Sequence, residues 1–187
     1  MGRHTALTTG LVLLMGCKGV SVARRAFAWA LLLPVFGLLG AESGGSPKPV
    51  HVAIIVNAKN GTTDVTLKQL RLIFTLEQQF WPKSGRILLI QRSSRTLAGQ
   101  AVLKGVYSMT EDQLRKHWVQ KLFSGEIPAI PAVVRETDAA ILSTKKNEAA
   151  ITAVIAGELP EGVRALVVDG KKPGEEGYPL VWMEESS

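Results

Sequence analysis

Residues 66–74 read T-L-K-Q-L-R-L-I-F, residues 80–96 read F-W-P-K-S-G-R-I-L-L-I-Q-R-S-S-R-T, and residues 109–125 read M-T-E-D-Q-L-R-K-H-W-V-Q-K-L-F-S-G. Thr66 precedes Leu67, Leu70, Ile73 and Phe74 at helical spacing, and Gln69 lies three residues on. A hydroxyl and an amide at that separation can cap a helix start reciprocally. Thr110 and Gln113 repeat the arrangement ahead of a second helix, whose apolar stripe is Leu114, Trp118, Leu122 and Phe123 and whose end is Ser124-Gly125. Between the two helices, Phe80-Trp81-Pro82 and Ser84-Gly85 form an irregular corner. Ile87–Gln91 then reads as a short buried strand. It leads into Arg92-Ser93-Ser94 and a further helix over Thr96–Tyr107, which Gly99 and Gly105 weaken.

The flanks extend the alternation. Val50–Asn57 (VHVAIIVN) is rich in β-branched residues and is bounded by Pro49 and a turn at Asn60-Gly61, so it reads as a strand. After a Pro-rich extended link, Ile127–Pro131, a helix is expected over Thr137–Asn147. Ala150–Ile155 and Val163–Val168 are strands, and Lys171–Tyr178 is a loop. Strands that alternate with helices favour an α/β fold, a sheet with helices packed on it.

The chain has 187 residues, 46% of them apolar, enough for one domain with a real core. Residues 1–43 stand apart. Arg24-Arg25 precede the apolar run Ala26–Gly40, and small residues follow at Ala41 and Ser43, the layout of a secretory signal. The run falls short of the ~20 residues that a membrane span needs, although a retained anchor is the alternative. Leu14-Met15-Gly16-Cys17 resembles a lipoprotein signal, with Cys17 as the lipidated residue. Translation starting near Val20 or Val22 reconciles the two apolar runs. Residues 44–49 read as a linker, 50–182 as the folded domain and 183–187 as a tail. Export to the periplasm follows from the signal.

Cys17 is the only cysteine, so the mature chain has no disulfide and no cysteine metal site. Four of the 22 Lys/Arg and one of the 16 Asp/Glu fall in residues 1–43, which leaves 18 basic against 15 acidic groups, a net of +3. These charges are interspersed, so no nucleic-acid footprint is present. His51 and His117 have no ligand companion at metal spacing, and no cofactor is expected. Ser93, Ser94 and Ser124 lack a neighbouring base and a G-x-S-x-G frame, so no enzyme activity is expected.

Taken in order, these segments resemble the periplasmic phosphate-binding proteins of ABC transporters, and more closely their short, single-lobe-sized relatives. The resemblance runs through Val56-Asn57, Thr66–Phe74, Trp81–Gly85, Ile87–Arg92, Leu114 with Trp118, and Phe123–Gly125, then Asp169–Gly174 and Tyr178–Leu180. It implies a periplasmic-binding-protein-like lobe, a mixed sheet flanked by helices, over most of the mature chain. It also implies an oxyanion such as phosphate as ligand and an ABC permease or other envelope protein as partner. Three features depart from the family: its glycine-rich loop near the N-terminus, which supplies further phosphate ligands, has no counterpart here, and two motifs differ. Its Arg-Gly-Ser-Gly-Thr turn is here Arg92-Ser93-Ser94-Arg95-Thr96, without the glycines that let amides close on an anion, and its Ile-Gly-Tyr is Ile151-Thr152-Ala153.

The candidate ligand residues are therefore Arg92, Ser93, Ser94 and Thr96, with Thr62 and Thr63 after the Asn60-Gly61 turn as a weaker pair. Hydroxyls and free amides at a helix start suit an anion, and a guanidinium adds a bidentate contact. In the alternative reading the hydroxyls only cap the helix and the arginines are solvated. One lobe presents half a cleft, so binding is expected to be weak or assisted by a partner. A periplasmic interaction or sensory module that kept the fold and lost the ligand is the competing function.

Overall fold

The computed structural model describes residues 48–184. The signal, anchor and lipoprotein readings at residues 1–43, and Cys17 with them, lie outside the described residues. In chain order the elements are β1 (Lys48–Asn57), β2 (Asp64–Val65), α1 (Leu67–Phe74), β3 (Phe80–Trp81), β4 (Gly85–Arg86) and β5 (Leu88–Arg92). Then come α2 (Leu97–Val102), a π-helical segment (Leu103–Tyr107), α3 (Glu111–Phe123), β6 (Ala132–Val134) and α4 (Thr137–Lys146). β7 (Ala150–Ile155), β8 (Val163–Ala165), β9 (Val167–Val168) and β10 (Val181–Glu184) complete the fold. β1 thus begins within the stretch read as a linker, and β10 runs into the stretch read as a tail.

The main sheet has the order β10-β1-β7-β5-β6, with β8 pairing β1 beside β10. β5 is parallel to both β6 and β7, whereas β1 is antiparallel to β7. The sheet is mixed and carries helices on both faces. Val52, Ile54 and Val56 of β1 pack with Leu70, Phe74, Val102 and Trp118 on one side. Ala53 and Ile55 face Val154, Val163 and Ile141 of α4 on the other. Burial of both faces explains why β1 is a continuous apolar run rather than an alternating one. Each fully buried Ile or Val there contributes about 1.5–3 kcal/mol.

Both threonine capping boxes form. Gln69 N donates to Thr66 Oγ1 and Thr66 N to Gln69 Oε1, and Thr110 with Gln113 does the same. At the other end of a helix, Asn57 Nδ2 donates to the Thr144 and Lys145 carbonyls, which have no partner inside α4.

Beyond those two boundaries, the structure departs from the sequence reading in three places. The α3 stripe holds for Leu114 and Trp118, but Phe123 is 86% exposed and Leu122 is also exposed. Lys121 is buried instead, because its Nζ reaches back 2.7 Å to Glu126 Oε2. Val163–Val168 is not one strand. It breaks at the fully buried Leu166, whose N–H bonds Ile54 O, so that β8 pairs with β1 and β9 with β2. The Trp-Pro corner is a two-residue ribbon, β3 against β4, whose turn requires the positive φ of Gly85.

Candidate functional site

β5 is flanked on both sides by parallel strands, and its carboxyl end delivers Gln91 and Arg92 to the start of α2. Ligands of open α/β sheets bind outside such strand ends. The turn that follows is closely bonded. Ser93 N donates to Val134 O at 3.1 Å, and Thr96 N donates to Ser93 O at 3.0 Å. Thr96 Oγ1 donates to Ser93 O at 2.8 Å and accepts from Gly99 N at 3.1 Å. The Thr96 hydroxyl is therefore engaged as a helix cap in both its roles. α2 presses directly on this turn: a Cβ at Gly99 would lie 2.0 Å from Ser93 O. Gly99 is thus a close-approach position, where the backbone of α2 meets the backbone of the turn.

Arg92 is 6% exposed. Its terminal nitrogens donate to Glu136 O at 2.8 Å, Arg135 O at 2.9 Å and Thr137 Oγ1 at 3.0 Å. The guanidinium thus fastens β5 to the start of α4, where Glu136 supplies no side-chain cap of its own. Burial pulls its pKa below the ordinary arginine value, and the Glu136 charge opposes that shift. Arg95 is exposed.

Arg92, Ser93 and Ser94 do share a cavity of about 220 Å³, and Gln91, Tyr107 and Trp118 share it with them. Thr96 is not on its wall. Among the described residues, five buried side-chain polar atoms have no hydrogen-bond partner: His51 Nδ1, Gln91 Oε1, Arg92 Nε, Tyr107 Oη and Trp118 Nε1. Four of the five belong to residues of this one cavity. Tyr107 and Trp118 are 6% and 3% exposed, so solvent at the surface does not meet them. Their rings stand edge to face at 6.4 Å. Burial drives the Tyr107 pKa upward, so the phenol stays a neutral donor. Val102, Leu103 and Leu114 supply hydrocarbon wall, with Glu111 and Arg115 exposed on α3.

Thr62 and Thr63 lie elsewhere, in a shallow hollow with Gly61, Asp64 and Lys83. Thr62 N bonds Asn60 Oδ1, Arg164 Nη2 holds the Thr62 carbonyl, and Thr63 Oγ1 bonds Asp64 Oδ2. The two predicted groups are thus not brought to one site. The sequence reading missed Gln91, Tyr107 and Trp118. The α3 stripe places Trp118 in the core, which is correct for its ring. The available signal was that a buried Tyr or Trp carries a polar end that needs a partner. Among the described residues no three His, Cys, Asp or Glu side chains gather to hold a metal ion.

A putative phosphate ABC transporter substrate-binding protein with bound phosphate from Clostridium perfringens superposes with a TM-score of 0.60 at 18% identity, over 74% of this chain and 55% of the other. An ABC-type phosphate transport receptor from Vibrio cholerae matches with a TM-score of 0.58 at 17% identity, over 73% and 56%. PstS from Borrelia burgdorferi matches with 0.58 at 17%, over 74% and 57%. The fold is that of a periplasmic-binding-protein-like lobe. The chain spans little more than half the length of these neighbours. No family model and no curated protein matches its sequence.

Proposed function

We propose that this chain is an exported solute-binding-like protein that takes a small oxyanion in the pocket at the end of β5. One observation carries the reading: four buried polar atoms without partners belong to residues that line a single cavity, and one of them belongs to a buried cation. Burying a polar group without a hydrogen bond costs about 1–3 kcal/mol, so four around one space favour a ligand that satisfies them. Three are N–H or O–H donors, which suits an acceptor-rich anion. The phosphate bound by the Clostridium perfringens neighbour makes phosphate the first candidate. Residues 1–43 are the export signal in this reading, and an ABC permease or other envelope protein is the partner that receives the solute. A half-cleft binds weakly, with a dissociation constant near millimolar, about −4 kcal/mol.

A second reading has support of its own. The terminal nitrogens of Arg92 and the Thr96 hydroxyl are engaged by the chain itself, as in a lobe kept for protein contacts after loss of its ligand. Calorimetric titration of the full chain with phosphate, sulfate and acetate separates the two. A saturable heat for at least one anion upholds solute binding. No heat with any of them up to tens of millimolar upholds the interaction module.

A further inference from the structure

The geometry points to a small monocarboxylate with an apolar body as the ligand of the Gln91–Trp118 pocket, an inference that rests on the oxyanion reading of this same site. Three unpartnered donors belong to residues that line it, Arg92 Nε, Tyr107 Oη and Trp118 Nε1, and only Arg92 among these buried side chains carries charge. A single negative charge spread over two oxygens matches one buried guanidinium. Two carboxylate oxygens offer about four lone-pair positions, close in number to the donors present. A phosphate dianion brings twice the charge and four strongly hydrated oxygens into a space walled mostly by hydrocarbon, Val102, Leu103, Leu114, Ile130 and Val133, with Ser93, Ser94 and the exposed Arg115 as its other donors. The hydrocarbon part of that wall leaves the extra charge and oxygens of the dianion only partly compensated. The same wall, with the edge-to-face Tyr107 and Trp118 rings, suits a short aliphatic or aromatic body, which gains from leaving water. Gln91 Oε1 accepts only, so a ligand hydroxyl near the carboxylate also finds a partner there.

The test is calorimetric titration of the full chain with 4-methylpentanoate, acetate and inorganic phosphate, repeated on Tyr107→Phe and Trp118→Phe. The expected result is 4-methylpentanoate binding at least tenfold tighter than either acetate or phosphate. Each variant should weaken it about fivefold or more, and Tyr107→Phe should leave the melting temperature of the free protein unchanged or raised, because it removes a buried hydroxyl that has no partner while keeping the ring. Phosphate binding tighter than 4-methylpentanoate overturns the monocarboxylate assignment and leaves oxyanion binding standing. Silence toward all three anions overturns both. Unchanged affinity in both variants overturns the assignment too, and a lowered melting temperature in Tyr107→Phe would then show that bound water rather than ligand meets its hydroxyl.

Discussion

The Asn60–Thr63 turn and the Arg92–Thr96 turn are built alike and end differently. Each is a short polar turn after a strand of the main sheet, and each is fastened by an arginine that donates to backbone carbonyls. Arg164 Nη2 holds the carbonyls of Asn60 and Thr62. Arg92 holds those of Arg135 and Glu136. Around the first turn the side chains close on their own backbone, with Asn60 Nδ2 on Glu148 O and Asn60 Oδ1 on Thr62 N. Around the second, Arg92 Nε and three neighbouring polar atoms find nothing. An arginine near a hydroxyl-rich turn is thus no sign of a ligand by itself. The polar atoms left over once the fold is bonded are the better sign.

The contrast is open to measurement, and the largest effect is expected at Arg92. Replacing it with Met removes three hydrogen bonds to a charged donor and frees carbonyls at the start of α4. Urea unfolding should show a loss of about 3–4 kcal/mol, and a loss below 1 kcal/mol would mean that the guanidinium is not a structural clamp. Gly99→Ala comes next. Its methyl meets Ser93 O, so α2 must shift away from the turn at about 2–3 kcal/mol; an unaltered unfolding midpoint would show that α2 is not pressed there. Arg164→Ala should cost about 1–2 kcal/mol at a half-buried site and leave anion titrations untouched. A change in anion affinity in that variant would erase the distinction between the turns.

The smallest effect concerns a third polar cluster, at the end of α3. The Glu126 carboxylate lies below its ordinary pKa, first through its hydrogen bond with Lys121 and then through Ser124. A lowered acid stabilises the fold above its ordinary value of 4.5 and loses that contribution as pH falls through the lowered pKa. Melting temperatures taken from pH 6 down to pH 3 should therefore fall slightly more steeply for the native chain than for Glu126→Gln. Parallel curves would show that the pair contributes nothing.

Much of the architecture was legible because its determinants are local. Thr66 with Gln69 and Thr110 with Gln113 make their bonds within three residues, and the apolar run of β1 announces a strand covered on both faces. The alternation of strands and helices was enough for an α/β sheet with helices packed on it, whereas its mixed strand order came only as what the family resemblance implies. Leu122 and Phe123 misled because periodicity says which residues share a face, not how far the partner surface extends along it. The break at Leu166 was hidden because it is dictated by a bond to Ile54, more than a hundred residues earlier.

Trp81 and Trp118 show where the boundary lies. Both are large aromatics in helical or strand-like surroundings, and both are buried. The chain alone determines that such rings go inside, because burying them removes apolar surface from water. It does not determine what their N–H groups meet. Trp81 Nε1 donates to Ala149 O, 68 residues away, while Trp118 Nε1 is left without a partner beside Tyr107 and Arg92. Burial follows from composition and spacing. Hydrogen-bond satisfaction depends on ångström-scale placement of groups far apart in the chain, and only the folded structure decides it.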